Sequence, residues 1–387
     1  MDTPSELSLA VARGNAFFRE IMEWDPKKGT LPVADLQGQL NERLTRFVRS
    51  ANTGLSATLA FGDVHARMQR QWHTELAFVE VQGAECRLLF DASLLTQKDP
   101  HAGLIFVAKS WVILWVIAKA LTLNPALKGS FVFEIGDNAT LGQVGYTSSH
   151  PNACLILDYD FAASDGYADY RTLCNAQLVP WEERAAKVFW RGTTTGRRLY
   201  PPPPDGEPDE LRWLARLALC KACAEPALSE LCDVGITSIQ QIPEPYLQAR
   251  IAATGFLKAA VPRRHFMTYR GVFDIDGNAN AWSGLFCSLL GASCILKVES
   301  ANHQRQWYYD RLVAWKNYVP VKADLSDLRE RVSWFATHDA DARRLAENAR
   351  ALAVSIDTAS ALTQSARNLI DWLSRRPTSP SVAVSRP

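Results

Sequence analysis

The 387-residue sequence has no surplus of either charge: 42 Lys and Arg stand against 41 Asp and Glu, a net charge of +1. A general nucleic-acid binder carries a basic excess, so this balance argues against that class. The opening MDTPSELSLAVARGNAFF lacks the apolar core of a secretory signal, and no KDEL-like retention signal closes the chain. The seven histidines show no metal-ligand spacing, and there is no internal repeat. Cysteine is present but scattered, and Cys220-Lys-Ala-Cys223 lies in a helical pattern without a second such pair. A zinc site needs that second pair or a nearby histidine, and the helical apolar surroundings favour core packing over redox work, so the eight cysteines read as buried, reduced thiols of a cytoplasmic protein. The longest apolar run, Leu104 to Leu123, is interrupted by Lys109 and Lys119, which reads against a membrane span. A helix packed between a sheet and solvent is the expectation there.

What is present is 47% hydrophobic residues, enough over this length for two cored domains. Residues 1–50 read as amphipathic helix. Strand patterns follow in ELAFVEVQ and CRLLF, then Ser130 to Ile135 ending at Gly136-Asp137-Asn138, and Ala153 to Leu157 ending at Asp158-Tyr-Asp160. Strands alternating with helices indicate an α/β fold, in which functional groups gather where strands end. Pro201 to Pro204 with Asp205-Gly206 reads as a stiff connector, Asn302 to Trp315 and three later segments as helices, and the last residues as a disordered tail.

Two stretches suit an anion. Arg191-Gly-Thr-Thr-Thr-Gly-Arg-Arg198 follows a strand pattern and offers glycines for close approach, hydroxyl donors and positive charge. It is not a Walker A loop, since no Lys-Ser/Thr follows the second glycine. The second stretch runs from Tyr269 to Glu299: a strand pattern, the polar loop Asp274 to Asn280, a helix opening near Ser283, a stop at Gly291 and a strand from Cys294 to Val298. Strand, polar loop and helix start is the layout of a ligand site at the carboxyl edge of a parallel sheet. The helix would aim free N–H groups and partial positive charge at a group such as a diphosphate.

Phe189-Trp-Arg-Gly-Thr-Thr-Thr-Gly196, Asp274-Ile-Asp-Gly-Asn278, Trp282-Ser-Gly284, Gln306-Trp-Tyr-Tyr-Asp310, Tyr318-Val-Pro-Val321 and Asp324-Leu-Ser-Asp327 together resemble glycosyltransferase family 90. The likeness is dense over 187–350, thinner over 105–180 and faint in the first hundred residues. That family includes fungal capsule-associated xylosyltransferases, animal protein O-glucosyltransferases and bacterial relatives linked to lipopolysaccharide.

The resemblance implies a GT-B fold: two Rossmann-like domains facing across a cleft, with the C-terminal helix crossing back to the first. The expected parts are an acceptor domain over 1–182, a donor domain over 183–355, the helix over 356–376 and a tail over 377–387. It implies an inverting, metal-independent transferase without a cofactor, moving xylose or glucose from a UDP-sugar to a glycan or lipid-linked acceptor such as lipopolysaccharide core. Such a protein would act in the cytoplasm, with peripheral contact to the inner face of the membrane. The catalytic base would be Asp137, with Glu134 the alternative and a turn or helix cap its structural reading. The donor would be held by Arg191, Gly192, Thr193, Thr194, Thr195, Arg270, Asp276, Gly277, Asn278, Ser283, Gly284 and Glu299. A structural ion pair is the competing reading for Arg270. Relatives carry an arginine after the Ser-Gly pair, where this chain has Leu285, and animal members a second where Thr194 stands. Neutralisation of the diphosphate therefore falls to Arg191, Arg270, Arg197 or Arg198, or to backbone groups. A protein or small-glycan acceptor, or a non-catalytic sugar-nucleotide module, are the other readings.

Overall fold

The structure is a computed structural model and describes residues 6–23, 33–51, 53–64, 75–95, 100–137, 139, 141–196 and 214–375. The expected connector at 201–206, the tail after 375, Asn138, Arg197 and Arg198 lie outside the described residues. The chain divides into two compact units: Met1–Asp165 with Thr358–Pro387, and Gly166–Asp357. The boundary expected at 182/183 falls inside the second unit, and the last helix is counted with the first.

The first unit holds a mixed six-stranded sheet. Its strands are β1 (Ser56–Gly62), β2 (Leu76–Gln82), β3 (Glu85–Asp91), β4 (Lys128–Glu134), β5 (Val144–Gly145) and β6 (Cys154–Leu155), in spatial order 1-3-2-4-5-6. Strand β2 runs antiparallel to β3 and β4, while β1–β3, β4–β5 and β5–β6 are parallel. The run from Ala153 to Leu157 yields only the two residues of β6, because Asp158 turns the chain into a short helix by accepting the Phe161 N–H at 2.9 Å. Helix α1 (Glu6–Met22) buries Ala10, Phe17 and Ile21; α2 (Val33–Ser50) lies along edge strand β1. An unpaired edge invites aggregation, and α2 blunts it: Asn41 bonds both the N–H and C=O of Leu59, and Gln37 accepts from Phe61 N–H.

The long apolar run forms α3 (Pro100–Lys109) and α4 (Trp111–Leu123), separated at Ser110, whose hydroxyl bonds Val107 C=O. Gly103–Leu123 is long and apolar enough to cross a membrane, yet 72% of its most apolar window is buried inside the protein. The solvent-facing helix expected here is corrected. Trp111 to Ala118 are buried all round, as a helix without a polar face must be, and α12 (Thr358–Ser374) packs against α4.

The second unit is built on a five-stranded, fully parallel sheet of β7 (Ala185–Thr193), β8 (Cys232–Ser238), β9 (Tyr269–Asp274), β10 (Cys294–Val298) and β11 (Val319–Val321). Strand β10 occupies the expected span, and its five residues are all buried, as in parallel sheets covered on both faces. Spatial order is β8-β7-β9-β10-β11, the second-first-third-fourth-fifth order of doubly wound α/β folds. The remaining helices are α6 (Ala168–Gln177), α7 (Ala215–Cys223), α8 (Pro245–Ala253), α9 (Ser283–Leu290), α10 (Leu328–Thr337) and α11 (Asp339–Val354), with α5 (Tyr159–Ala163) the short helix in the first unit. Cys220 and Cys223 lie buried on α7, and all eight cysteines are buried free thiols. The helix expected over Asn302 to Trp315 does not form. The stretch gives a short strand and one 3-10 turn, with His303 and Trp315 at positive φ and three consecutive aromatics, Trp307 to Tyr309, stacked edge to face. Adjacent bulky rings have low helix propensity and cannot share one helical stripe.

Candidate active site

In a parallel sheet of this order, ligands bind outside the carboxyl ends of the strands, where successive connections leave in opposite directions. That point lies between β7 and β9. The threonine-rich turn leaves β7 and the Asp-Gly-Asn turn leaves β9, so the two stretches read from the sequence sit side by side. They touch. Gly196 has φ +97°, and a Cβ there would run into the Gly277 carbonyl. Gly277 bonds Ala279 C=O at 2.8 Å, and a Cβ on it would stand 2.9 Å from both Arg216 Nη2 and Thr195 Oγ1. Gly196→Ala should therefore cost about 2 kcal/mol of stability and weaken any ligand of these turns, checked by urea unfolding and calorimetric titration.

The three threonines have different jobs. Thr194 is buried and ties the turn to the segment after β8, donating to Gln240 C=O at 2.9 Å and accepting its N–H at 2.7 Å. Thr193 donates to Thr195 Oγ1 at 3.3 Å, and Gly192 fits beside the Trp190 indole. Asp276 is buried, and its carboxylate accepts from Asn280 at 3.4 Å. Burial raises the Asp276 carboxyl, with Lys297 opposing. Asn278, Ser283 and Gly284 are half-buried; the Gly284 N–H is already bonded to Ala281 C=O at 2.6 Å. Trp282 holds φ +41° in that turn, a left-handed conformation costly for so bulky a residue. Glu299 is exposed just past β10, and Leu285 is buried on α9.

Two of the expected arginines are engaged elsewhere. Arg191 Nη2 meets Asp233 at 2.8 Å, Nη1 meets two backbone carbonyls, and the guanidinium lies 4.5 Å from the Phe189 ring centre. Arg270 is the second residue of β9, at the end of the strand away from its polar turn, where it bonds Asp339 and the carbonyls of Trp181 and Glu182. The structural ion pair is made with Asp339. Asp274 instead pairs with Lys297 at 2.8 Å, both nearly inaccessible, and the two are opposed in the β9–β10 register.

Asp233 also takes Lys258 and the Tyr269 hydroxyl, at 2.8 and 2.9 Å. Burial works against the Asp233 carboxylate, but bonds from Lys258, Arg191 and Tyr269 hold it down from 3.8 to about 2. A depressed folded-state value stabilises above the unfolded one and is lost as pH falls through it. The urea-stability gap between wild type and Asp233→Asn should be about 1 kcal/mol at pH 6, shrinking as pH drops below about 4.

Sequence reading missed Arg216, which projects from α7 under both turns. Its Nε donates to Asp276 C=O at 2.9 Å, Nη1 to Thr193 C=O at 3.2 Å and Thr195 Oγ1 at 2.7 Å, and Nη2 to Ile275 C=O at 3.3 Å. Its only sequence signal is a cation inside the apolar helix pattern around Leu214 to Cys220. Lys297, a cation inside a buried strand, carries the same kind of signal.

In the first unit, Asp137 follows β4 and is half-buried. Glu134 is spent on structure, accepting the N–H groups of Leu141 at 3.0 Å and Gln143 at 3.3 Å. Gly136 is fixed by the Glu75 carboxylate, which occupies the place of a Cβ. Asp160 stands close enough to Asp137 to feel it: its packed surroundings raise the Asp160 carboxyl, Lys109 opposes, and Asp137 adds to the rise. Asp158 is the helix cap already described. Among the described residues no group of three His, Cys, Asp or Glu is arranged to hold a metal ion.

A Gly-rich turn and a polar turn meeting at the reversal point of a parallel sheet have the layout of a ligand site at the carboxyl edge of a doubly wound α/β unit. Residues 227–357 match the model described as Glycosyl transferase family 90. The chain is 33% identical over 175 residues to Uncharacterized protein 035R of Invertebrate iridescent virus 3, covering 44% of this chain and 15% of that one. It is 28% identical over 166 residues to Protein O-glucosyltransferase 2 of Danio rerio, covering 43% and 28%, and 38% identical over 82 residues to Protein O-glucosyltransferase 3 of Rattus norvegicus, covering 21% and 16%. The matched stretch thus spans under a third of each of these relatives. The matches support glycosyltransferase family 90 and a glycosyltransferase activity; the relatives named are viral and animal.

Proposed function

We propose that this protein is an inverting family 90 glycosyltransferase that moves xylose or glucose from a UDP-sugar to an acceptor hydroxyl, on a GT-B plan. The observation that carries the reading is the contact between the Gly196 and Gly277 turns at the reversal point of the parallel sheet, one of them inside the stretch matched by the family model. In this reading the second unit holds the nucleotide and diphosphate, and Asp137 of the first takes the proton from the attacking hydroxyl. A diphosphate is a stable leaving group. It needs positive charge and aligned N–H groups, and no proton donor. No metal or cofactor is required by this scheme.

The acceptor we propose is a glycan of the lipopolysaccharide-core type, modified in the cytoplasm at the inner face of the membrane; eight reduced, buried cysteines suit a reducing compartment. A protein acceptor is the second reading, favoured by relatives named protein O-glucosyltransferases. Thermal-shift titration with UDP-glucose, UDP-xylose, UDP-galactose and UDP-N-acetylglucosamine tests the donor, since a ligand of the folded state raises its stability. No shift with any of them, together with no release of UDP, would sink the proposal. Radiolabelled transfer to core oligosaccharide, set against transfer to folded protein domains, separates the two acceptors.

A further inference from the structure

The sheet of the first unit borders a cavity of about 1080 Å³, whose other wall includes Ile370 and Leu373 of α12. Side chains alternate across a strand, so residues in register, or two apart, share a face. Glu80 of β2 stands opposite Arg87 of β3 and Ser130 of β4, and Thr58 of β1 stands opposite Arg87 from the other side. Two residues along, Gln82 stands opposite Glu85 and Lys128. All seven line the cavity, as two neighbouring rungs of hydroxyl, guanidinium, carboxylate, amide and ammonium groups. Opposite charges facing each other across strands ordinarily pair. Here Glu85, Arg87 and Lys128 make no ion pair among the described residues, and their charged ends are left to the cavity.

The lining decides what can fill this space. Sites for single small ligands run up to about 1,000 Å³ and are mostly apolar. This one is as large, yet it carries four hydroxyl and two amide side chains, which rules out a lipid chain. Two carboxylates, Glu80 and Glu85, balance two cations, Arg87 and Lys128, so the lining selects neither an anion nor a cation. No aromatic ring lines the cavity, and a nucleobase would find nothing to stack on. Strands β2 and β3 are paired along both sides, so a peptide strand cannot join them. What fits is an uncharged molecule rich in hydroxyls with one apolar face. A saccharide has both: hydroxyls that bond the planar ends of Gln82, Glu80 and Arg87, and a C–H face that packs on Ile370 and Leu373.

We propose that this cavity binds a neutral oligosaccharide, gripped by Arg87, Glu80 and Gln82 of the sheet and flanked by the end of α12. The site is separate from the proposed base. Lys128 opens β4 and Asp137 follows its other end; at about 3.3 Å per residue the two ends of this seven-residue strand lie about 20 Å apart. A glycan held here is retained and not modified, and its retention raises the local concentration of any longer chain of which it is part. The choice of a saccharide among neutral polar molecules rests on the glycosyltransferase reading; the site itself needs no donor.

An array of immobilised neutral and acidic oligosaccharides, probed with the full chain and with its Arg87→Ala and Gln82→Ala variants, tests the site. Both residues are exposed, so neither exchange disturbs the core. Wild type is expected to retain neutral oligosaccharides in preference to acidic ones. Each variant should weaken the best of them by about 10-fold or more in calorimetric titration, the scale of losing hydrogen bonds to a charged or polar anchor. Added salt should change that affinity little, because the ligand carries no charge to screen. Retention of no neutral oligosaccharide, a preference for acidic ones that salt abolishes, or binding untouched by both exchanges overturns the proposal. Titration with the UDP-sugars keeps the two readings apart. A protein that binds a UDP-sugar but no neutral glycan at this cavity loses this inference alone. One that binds the glycan through Arg87 and Gln82 but no UDP-sugar keeps the site and loses the transfer reaction.

Discussion

Asp137→Asn is expected to lower the transfer rate by about 1000-fold while the affinity for the sugar nucleotide stays within twofold of wild type. The amide keeps the size and much of the hydrogen bonding of the carboxylate but accepts no proton, and general-base catalysis contributes about 100- to 10,000-fold. Asp137 is half-buried just past β4, with Gly136 pinned by Glu75, so the exchange disturbs no packed core. Glu134→Gln provides the control. Its carboxylate takes the Leu141 and Gln143 N–H groups, so its loss should appear in thermal stability more than in the chemical step. Single-turnover transfer, with donor affinity measured separately, decides between them. A rate unchanged in Asp137→Asn removes that residue from the base role.

Lys297→Met should be the most destabilising single exchange in the second unit, by about 3–5 kcal/mol in urea unfolding. The ammonium and the Asp274 carboxylate are 9% and 3% exposed and meet at 2.8 Å. Burial alone would lower the Lys297 pKa; Asp274 and then Asp276 outweigh it, and the group is held charged well above its ordinary range. Removing the cation strands Asp274 in a dry strand and takes away the charge that opposes the rise at Asp276. The double exchange Lys297→Met with Asp274→Val should recover most of the loss, because an apolar pair of similar volume avoids the desolvation of both ions. A double variant as unstable as the single would mean that the pair holds the fold through packing, not through charge.

The sequence by itself determined the elements whose cause is local. Cys294 to Val298 was legible as a strand because every residue of a covered parallel strand is buried, leaving a short run bounded by Gly291 and Glu299. The two anion-suited turns were legible because glycine, threonine and aspartate after a strand have few other uses. Asn302 to Trp315 was misread because charged and aromatic residues at mixed spacing imitate a helix until the rings pack on one another. Only the tertiary structure decided where the charges go. A long basic side chain reaches any partner within several ångströms, and that partner is set by strand order: Asp233 lies 42 residues from Arg191, and Arg270 finds Asp339 at 69. The same non-local pairing brought β7 beside β9, set Gly196 against Gly277, and placed Arg216, a residue of the helix that carries Cys220 and Cys223, beneath both turns.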